Sequence, residues 1–290
     1  MFANAHRNIV PIQYACETAT QIMLAMPYYS RGSLAARISS GPVTTTELIR
    51  VAVGALNGVS QIHQKGYIHF DLKPSNVLFN EMNDPLVSDF GQTRRLLPGG
   101  VVAIPEMYCR AMPPETLSGG AGSLLGDIYQ FGLLLYRAVN GDALYEDQFT
   151  GIDWDSTKRL IKSGKLPDRK RFLPHVPKRI RSIIRKALKL NPADRYQSAE
   201  EFSKAIARVS VELDWNTTIH PSGEISWYTV RSGKSDLEVN LTNTAKGWNV
   251  RVSTVNGVSR RATGGATLNQ SGLRREAALK HLNEAFAQLA

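Results

Sequence analysis

Cysteine is scarce: only Cys16 and Cys109 occur in 290 residues. Two thiols so far apart in sequence supply neither a disulfide framework nor a zinc ligand set, and they suit a reducing compartment. Long apolar runs are missing too. The most apolar stretch, Ile128 to Val139, is interrupted by Gln130 and Arg137 and follows Asp127, so it falls short of the ~20 apolar residues of a membrane span. The first eight residues lack the apolar core of a signal peptide. The expectation is a soluble, cytoplasmic protein with no membrane partner. Hydrophobic residues make up 42% of the chain, enough for a real core in one large domain or two unequal ones, which excludes a disordered chain.

The charge is positive, 35 Lys and Arg against 25 Asp and Glu. Most of the excess sits in residues 151–200, which carry fourteen basic residues against five acids. Acidic partners are in scope, nucleotide and acidic protein segments among them. A solvated basic helix face is the simpler explanation, because Lys and Arg are mostly surface residues.

The chemistry is concentrated in Ile68-His69-Phe70-Asp71-Leu72-Lys73-Pro74-Ser75-Asn76-Val77-Leu78-Phe79, with Asp89-Phe90-Gly91 beginning thirteen residues after Asn76. A carboxylate, an ammonium and an amide lie close together, followed by a second carboxylate beside a glycine. Such a set suits phosphoryl transfer, in which one carboxylate orients a hydroxyl while the other, with the amide, holds magnesium against phosphates. The stretch resembles the catalytic loop and the Asp-Phe-Gly motif of eukaryotic-like serine/threonine protein kinases.

Other segments carry the resemblance in family order. His6-Arg7-Asn8-Ile9-Val10 looks like the entry to the fourth small-lobe strand. Pro11 to Thr18 and Gln21 to Met26 read as two strands, with Glu17-Thr18-Ala19-Thr20 as the turn. Met26-Pro27-Tyr28-Tyr29 resembles the hinge between kinase lobes, which implies Met26 at the gate of the adenine pocket and backbone groups of Pro27 and Tyr29 at the adenine edge. Thr44 to Glu47 opens a helix whose apolar spacing runs to Gly66 and delivers the loop; His63 in it reads as structural. Pro113-Pro114-Glu115, the helix after Asp127 and Arg195 follow. Asn140-Gly141 ends that helix, Ile180 to Leu188 reads as a basic amphipathic helix, and Ser198 with Glu201 reads as the cap of the last one.

What the resemblance implies is specific. Asp71 is the base or hydroxyl-orienting residue, Lys73 neutralises the transferred phosphate, and Asn76 and Asp89 hold Mg2+ on ATP. His69 is scaffold, Asp127 accepts loop amides, and Glu115 pairs with Arg195. The implied fold is α+β, a kinase-like domain over 1–211, with residues 1–29 as a remnant of the small lobe and hinge and 30–211 as a mostly helical large lobe. The partners implied are nucleotide and a protein substrate, phosphorylated on Ser or Thr.

Two departures qualify this. The glycine-rich loop, strand Lys and helix Glu of the family are not in the sequence, which leaves two alternatives: a late start within a longer kinase, or a catalytically impaired pseudokinase scaffold. Phe70 stands where most kinases carry the Arg that receives an activating phosphate. Between Gly91 and Pro113 the only hydroxyl residues are Thr93 and Tyr108, so control by phosphorylation of that segment is not expected.

Beyond residue 212 the spacing changes to alternation: Ile225 and Trp227, then Leu237, Val239 and Leu241, then Trp248, Val250 and Val252. Asn256-Gly257 signals a hairpin, and a helical stripe of Leu279, Leu282, Phe286 and Leu289 closes the chain. The expectation is a small antiparallel domain over 214–290, of four or five strands under one helix, that docks a partner protein. Nucleic acid is not the expected partner, because from residue 212 onward nine basic residues face seven acids.

Overall fold

The computed structural model describes residues 6–18, 22–96, 102–105 and 109–289. The expected turn at Ala19-Thr20 and the hydroxyl of Tyr108 lie outside them. Strands β1 (Tyr14–Glu17) and β2 (Ile22–Ala25) pair antiparallel as a hairpin. The segment before them is stitched to the rest of the chain: Val10 donates to Val87 O at 2.9 Å and Val87 to Asn8 O at 2.9 Å.

Two helices follow, the short α1 (Leu34–Ile38) and the 20-residue α2 (Thr45–Gln64). Thr44 caps α2, its hydroxyl accepting from Glu47 N at 3.2 Å, and satisfies an amide that the helix itself leaves open. Leu48, Val51, Ala52, Ala55, Leu56, Val59 and Ile62 form its buried stripe. After α2 come β3 (Tyr67–Ile68), β4 (Val77–Phe79), β5 (Pro85–Val87) and β6 (Arg94–Arg95), with β3 paired to β6 and β4 to β5. These two-stranded pieces bracket the residues from His69 to Asn76.

The helical part continues through α3 (Pro114–Leu117), α4 (Leu124–Asn140), α5 (Asp142–Asp147), α6 (Trp154–Lys162), α7 (Lys178–Ala187) and α8 (Ala199–Ala207). Helix α4 is buried on nearly every face from Asp127 to Asn140, which is why the sequence between them is apolar apart from Gln130 and Arg137. Its close approach to α7 demands Gly132, where a Cβ would come 2.9 Å from Ala187 Cβ. Gly141, at φ 79°, stops α4 as its sequence predicts. Ser198 caps α8 through Glu201 N at 3.0 Å, while Glu201 reaches Gln197 N at 2.7 Å. One apolar cluster runs through α1, α2, α4, α7 and α8.

The last part has its own cluster, built on Trp215, Trp227, Val239, Val252, Leu282 and Phe286. Its strands are β7 (Asn216–Ile219), β8 (Ile225–Thr229), β9 (Asp236–Thr244), β10 (Gly247–Asn256), β11 (Ser259–Ala262) and β12 (Gln270–Leu273), in the order β11-β10-β9-β8-β7 with β12 also on β10. All pairings are antiparallel. The sheet holds six strands, not the four or five expected, because β12 is polar and carries no alternation to announce it. A short helix, α9 (Gly265–Leu268), precedes β12, and α10 (Arg275–Leu289) covers the sheet through Ala278, Leu282, Ala285 and Phe286. Leu279 and Leu289, expected in that stripe, are only partly buried, since small Ala residues let α10 sit closer one step round.

This part is tied to the helical one. Asp214 accepts from Thr46 N, in the first turn of α2, at 3.1 Å, and Trp227 Nε1 donates to His175 Nδ1 at 2.9 Å. Ile219 and Ile225 also pack on the main core.

Candidate active site

Asp127, in the first turn of α4, organises the loop. Its carboxylate accepts from His69 N at 2.8 Å and Phe70 N at 2.9 Å, and meets His63 Nε2 at 2.8 Å. A carboxylate only 1% exposed is tolerable because three donors replace its water. One turn along the same face, Gln130 clamps the other side: Oε1 accepts from Leu72 N at 3.1 Å and Nε2 donates to Phe70 O at 2.8 Å. Phe70 is thereby held at φ 66°, a left-handed backbone that costs a non-glycine residue energy and persists only when its surroundings dictate it.

His69 lies beneath the loop. Its Nε2 faces the carbonyl of Ser88 at 3.1 Å, so that nitrogen carries the proton, and Nδ1 accepts from Asp71 N at 3.3 Å. Complete burial pushes this imidazole below its ordinary value, in keeping with that neutral tautomer. Ser88 N and Oγ both donate to Asn76 O, at 2.9 and 3.1 Å, which fixes the start of the Asp89 segment against the end of the loop.

Above this scaffold three side chains converge. Lys73 Nζ lies 2.7 Å from Asp71 Oδ2, and Asn76 Nδ2 donates to the same oxygen at 3.0 Å and to Asp71 O at 2.8 Å. Asp71 Oδ1 has no hydrogen-bond partner among the described residues. Asn76 spends its amide nitrogen on Asp71, which leaves Oδ1 with a single 3.3 Å contact from Ser75 Oγ. Asp89, at φ 62°, is exposed and, among the described residues, accepts only from Gly91 N at 3.2 Å. Free carboxylate and amide oxygens are the donors a hard cation such as Mg2+ takes, so the residues fit that ion.

The remaining expected residues are spread out. Glu115 and Arg195 form a two-pronged ion pair at 2.8 and 2.6 Å, with Arg195 also donating to the carbonyls of Lys189, Leu190 and Leu125. That pair joins α3 to the segment before α8, away from the loop. Met26, Pro27 and Tyr29 lie on the segment after β2, with Met26 51% exposed. No hydrogen bond or ion pair joins them to Asp71 or Asp89 among the described residues; the segment that follows them meets β4, where Phe79 N donates to Gly32 O at 3.1 Å.

Sequence reasoning missed Gln130, which it treated as a break in an apolar run. The available signal was a polar amide three residues after Asp127, on the same helical face. The partner of His63 was equally unforeseen.

A deep helical lobe and a loop that gathers an acid, an ammonium and an amide define a phosphotransferase-type architecture. The protein kinase domain family matches residues 1–205, and the chain belongs to that family. Its fold is accordingly an α+β, kinase-like one. The chain is 28% identical over 204 residues to the serine/threonine-protein kinase PrkC of Bacillus subtilis, covering 69% of this chain and 31% of that protein. It is 28% identical over 212 residues to the serine/threonine-protein kinase PknK of Mycobacterium tuberculosis, 71% of this chain and 19% of that one. Ribosomal protein S6 kinase 2 alpha of Xenopus laevis matches at 28% over 217 residues, 73% of this chain and 28% of that one. The chain thus spans a third or less of the length of these curated relatives. Among the described residues no helix is long and apolar enough to cross a membrane.

Proposed function

We propose that the chain transfers the γ-phosphate of ATP to Ser or Thr hydroxyls of a protein substrate, without requiring phosphorylation of the segment after Asp89. The observation that carries this is the asymmetry of Asp71: Oδ2 is tied to Lys73 and Asn76 while Oδ1 is left open. An acceptor hydroxyl donating to Oδ1 is aimed by a carboxylate that cannot swing. As the hydroxyl oxygen bonds to the γ-phosphorus and the bond to ADP breaks, its proton passes to Asp71. Lys73 offsets charge on the transferred group. Asn76 Oδ1 and Asp89 would hold Mg2+, which neutralises the nucleotide phosphates when bound. Met26, Pro27 and Tyr29 would border the adenine.

Independence from phosphorylation is supported by Phe70. It is buried with Ile68 and Val102 in an apolar cluster that Leu96, Ile104 and Met112 flank, so the loop meets the following segment through apolar contact instead of an Arg awaiting phosphate. We also assign residues 1–211 as the kinase-like domain, 1–29 forming its small-lobe remnant and hinge and 30–211 its large lobe. Residues 214–290 form a separate α+β module that docks a partner protein. Two distinct apolar clusters and a family match ending at 205 support that division. A cytoplasmic location accords with the sparse cysteines.

The test is phosphate transfer from labelled ATP and Mg2+ to a generic Ser/Thr acceptor such as casein. Asp71→Asn should lower the rate by about 10²- to 10⁴-fold, and phosphatase pretreatment should leave it unchanged. Magnesium-dependent ATP binding equal in wild type and Asp89→Ala would remove the nucleotide site. The scaffold reading would then stand, favoured by the exposed Tyr14, Met23, Leu24 and Tyr28 around the β1–β2 hairpin.

A further inference from the structure

A cavity of about 590 Å³ lies where the helical lobe meets the C-terminal sheet-and-helix part. One wall is the turn from Pro174 to Lys178 with Arg181 of α7; the other is the connecting segment 210–215 with Phe286 and its neighbours on α10. Small-molecule sites are typically clefts of roughly 300–1,000 Å³, often between domains, with apolar walls and a few convergent polar groups.

Its walls are chemically unequal. Trp215 and Phe286 supply aromatic surface, their rings 5.1 Å apart and nearly perpendicular. Val176, Val211 and Leu213 add aliphatic surface. Against these stands Arg181, which is held in place by backbone carbonyls alone: Nε donates to Val176 O at 2.7 Å, and Nη2 to Pro174 O at 2.6 Å and Leu173 O at 3.3 Å. Nη1 bonds to no described residue, and no described carboxylate pairs with the guanidinium. Burial and the neighbouring Arg185 both push Arg181 below its ordinary value, as befits a half-buried cation without a counter-charge. Glu212, the one acid on the wall, is exposed and pairs with no described cation. His175 adds no charge, because burial drops it to about 3 and Trp227 donates to its Nδ1.

We propose that this cavity binds a small organic anion, a carboxylate, sulfonate or phosphate on a flat aromatic body, with the anionic group on Arg181 and the body lying against the wall that Trp215 and Phe286 form. A half-buried guanidinium fixed by three carbonyls, with one nitrogen unbonded, is prepared for an anion before it arrives. The aromatic pair then favours a flat occupant over a bare inorganic ion. Because its walls come from both parts of the chain, the occupant would brace the C-terminal part against the lobe. The site stands apart from the loop, so it holds whether or not Asp71 transfers phosphate.

The probe is 8-anilinonaphthalene-1-sulfonate, compared with its neutral counterpart N-phenyl-1-naphthylamine, titrated by fluorescence into the whole chain. Expected is saturable binding of the sulfonate that weakens by about tenfold or more in Arg181→Gln, since a charge-assisted contact is lost. Arg181→Lys should restore most of it, and the neutral probe should change less than about twofold in either variant, there being no ionic contact to lose. Ala287→Trp, a change at an exposed position on the cavity wall, should abolish binding of both probes. Sulfonate binding that ignores Arg181→Gln, or that survives Ala287→Trp through the exposed apolar hairpin, overturns the proposal; so does equal loss of both probes in Arg181→Gln. Should Arg181→Gln fail to fold, the Lys and Trp variants decide alone.

Discussion

Asp71 and Asp89 are the two carboxylates of one candidate site, and they are held in opposite ways. Asp71 is 8% exposed, on a loop whose amides are claimed by Asp127 and Gln130 from inside α4. Asp89 is exposed, and its only hydrogen bond among the described residues is to an amide two residues on. Both stand at or next to a left-handed residue, Phe70 and Asp89 themselves, but only Phe70 has a buried apolar cluster to hold it there. The lesson is a division of labour. Under the proposed roles, the group that would aim a hydroxyl is over-determined by its scaffold, whereas the one that would take a cation keeps its oxygens free for the ion.

The sharpest way to break the comparison is Asp127→Ala. It strands the amides of His69 and Phe70 and the ring nitrogen of His63 in a dry interior, and should cost about 3 to 5 kcal/mol in denaturant unfolding. A loss under about 1 kcal/mol would mean that the loop holds itself.

Next comes Gly122→Ala. Val102 and Gly122 exchange backbone hydrogen bonds at 3.2 and 3.0 Å, and a Cβ at Gly122 would fall on the Phe70 ring. Overpacking there should cost about 1 to 3 kcal/mol. If instead the substitution is neutral, the Phe70 cluster is not what braces the segment after Asp89.

A third measurement asks whether burial acts alike far from the loop. His175 is held at about 3 against an ordinary 6.5. Between those values the unfolded chain binds the proton and the folded one does not, so stability falls as pH falls. From pH 7 to pH 5 His175 should remove about 2 kcal/mol. His69 is shifted in the same direction by the same cause. In His175→Gln, whose amide oxygen can still accept from Trp227, the unfolding midpoint should fall less steeply with pH. An unchanged slope would show that His175 is not the titrating group.

The smallest effect belongs to Asp89→Ala, which should leave stability within ~0.5 kcal/mol of wild type, because it removes one exposed contact. A large destabilisation would erase the contrast with Asp71.

Much of this site was legible in the residues themselves. The short spacing from His69 to Asn76 leaves Asp71, Lys73 and Asn76 little choice but to meet, and the Asp127 and Glu115–Arg195 pairings followed from recognising the motif order. Gln130 was not legible, since a single amide in an apolar run looks like an interruption until the helix is docked on the loop. Strand β12 was hidden for a related reason: its partner, β10, accepts it through backbone bonds that need no apolar alternation.

By itself the sequence determined the local chemistry: which acid, ammonium and amide lie within reach, where helices start and stop, and that Phe70 replaces a cation. Only the tertiary structure decided that Asp71 Oδ1 stays open while Oδ2 is tied, that Phe70 is buried against Val102, and that Arg181 faces a cavity shared with Trp215 and Phe286. Those outcomes depend on contacts between residues dozens of positions apart, and a guanidinium, an indole and a phenyl ring carry no mark in sequence of which wall they will line.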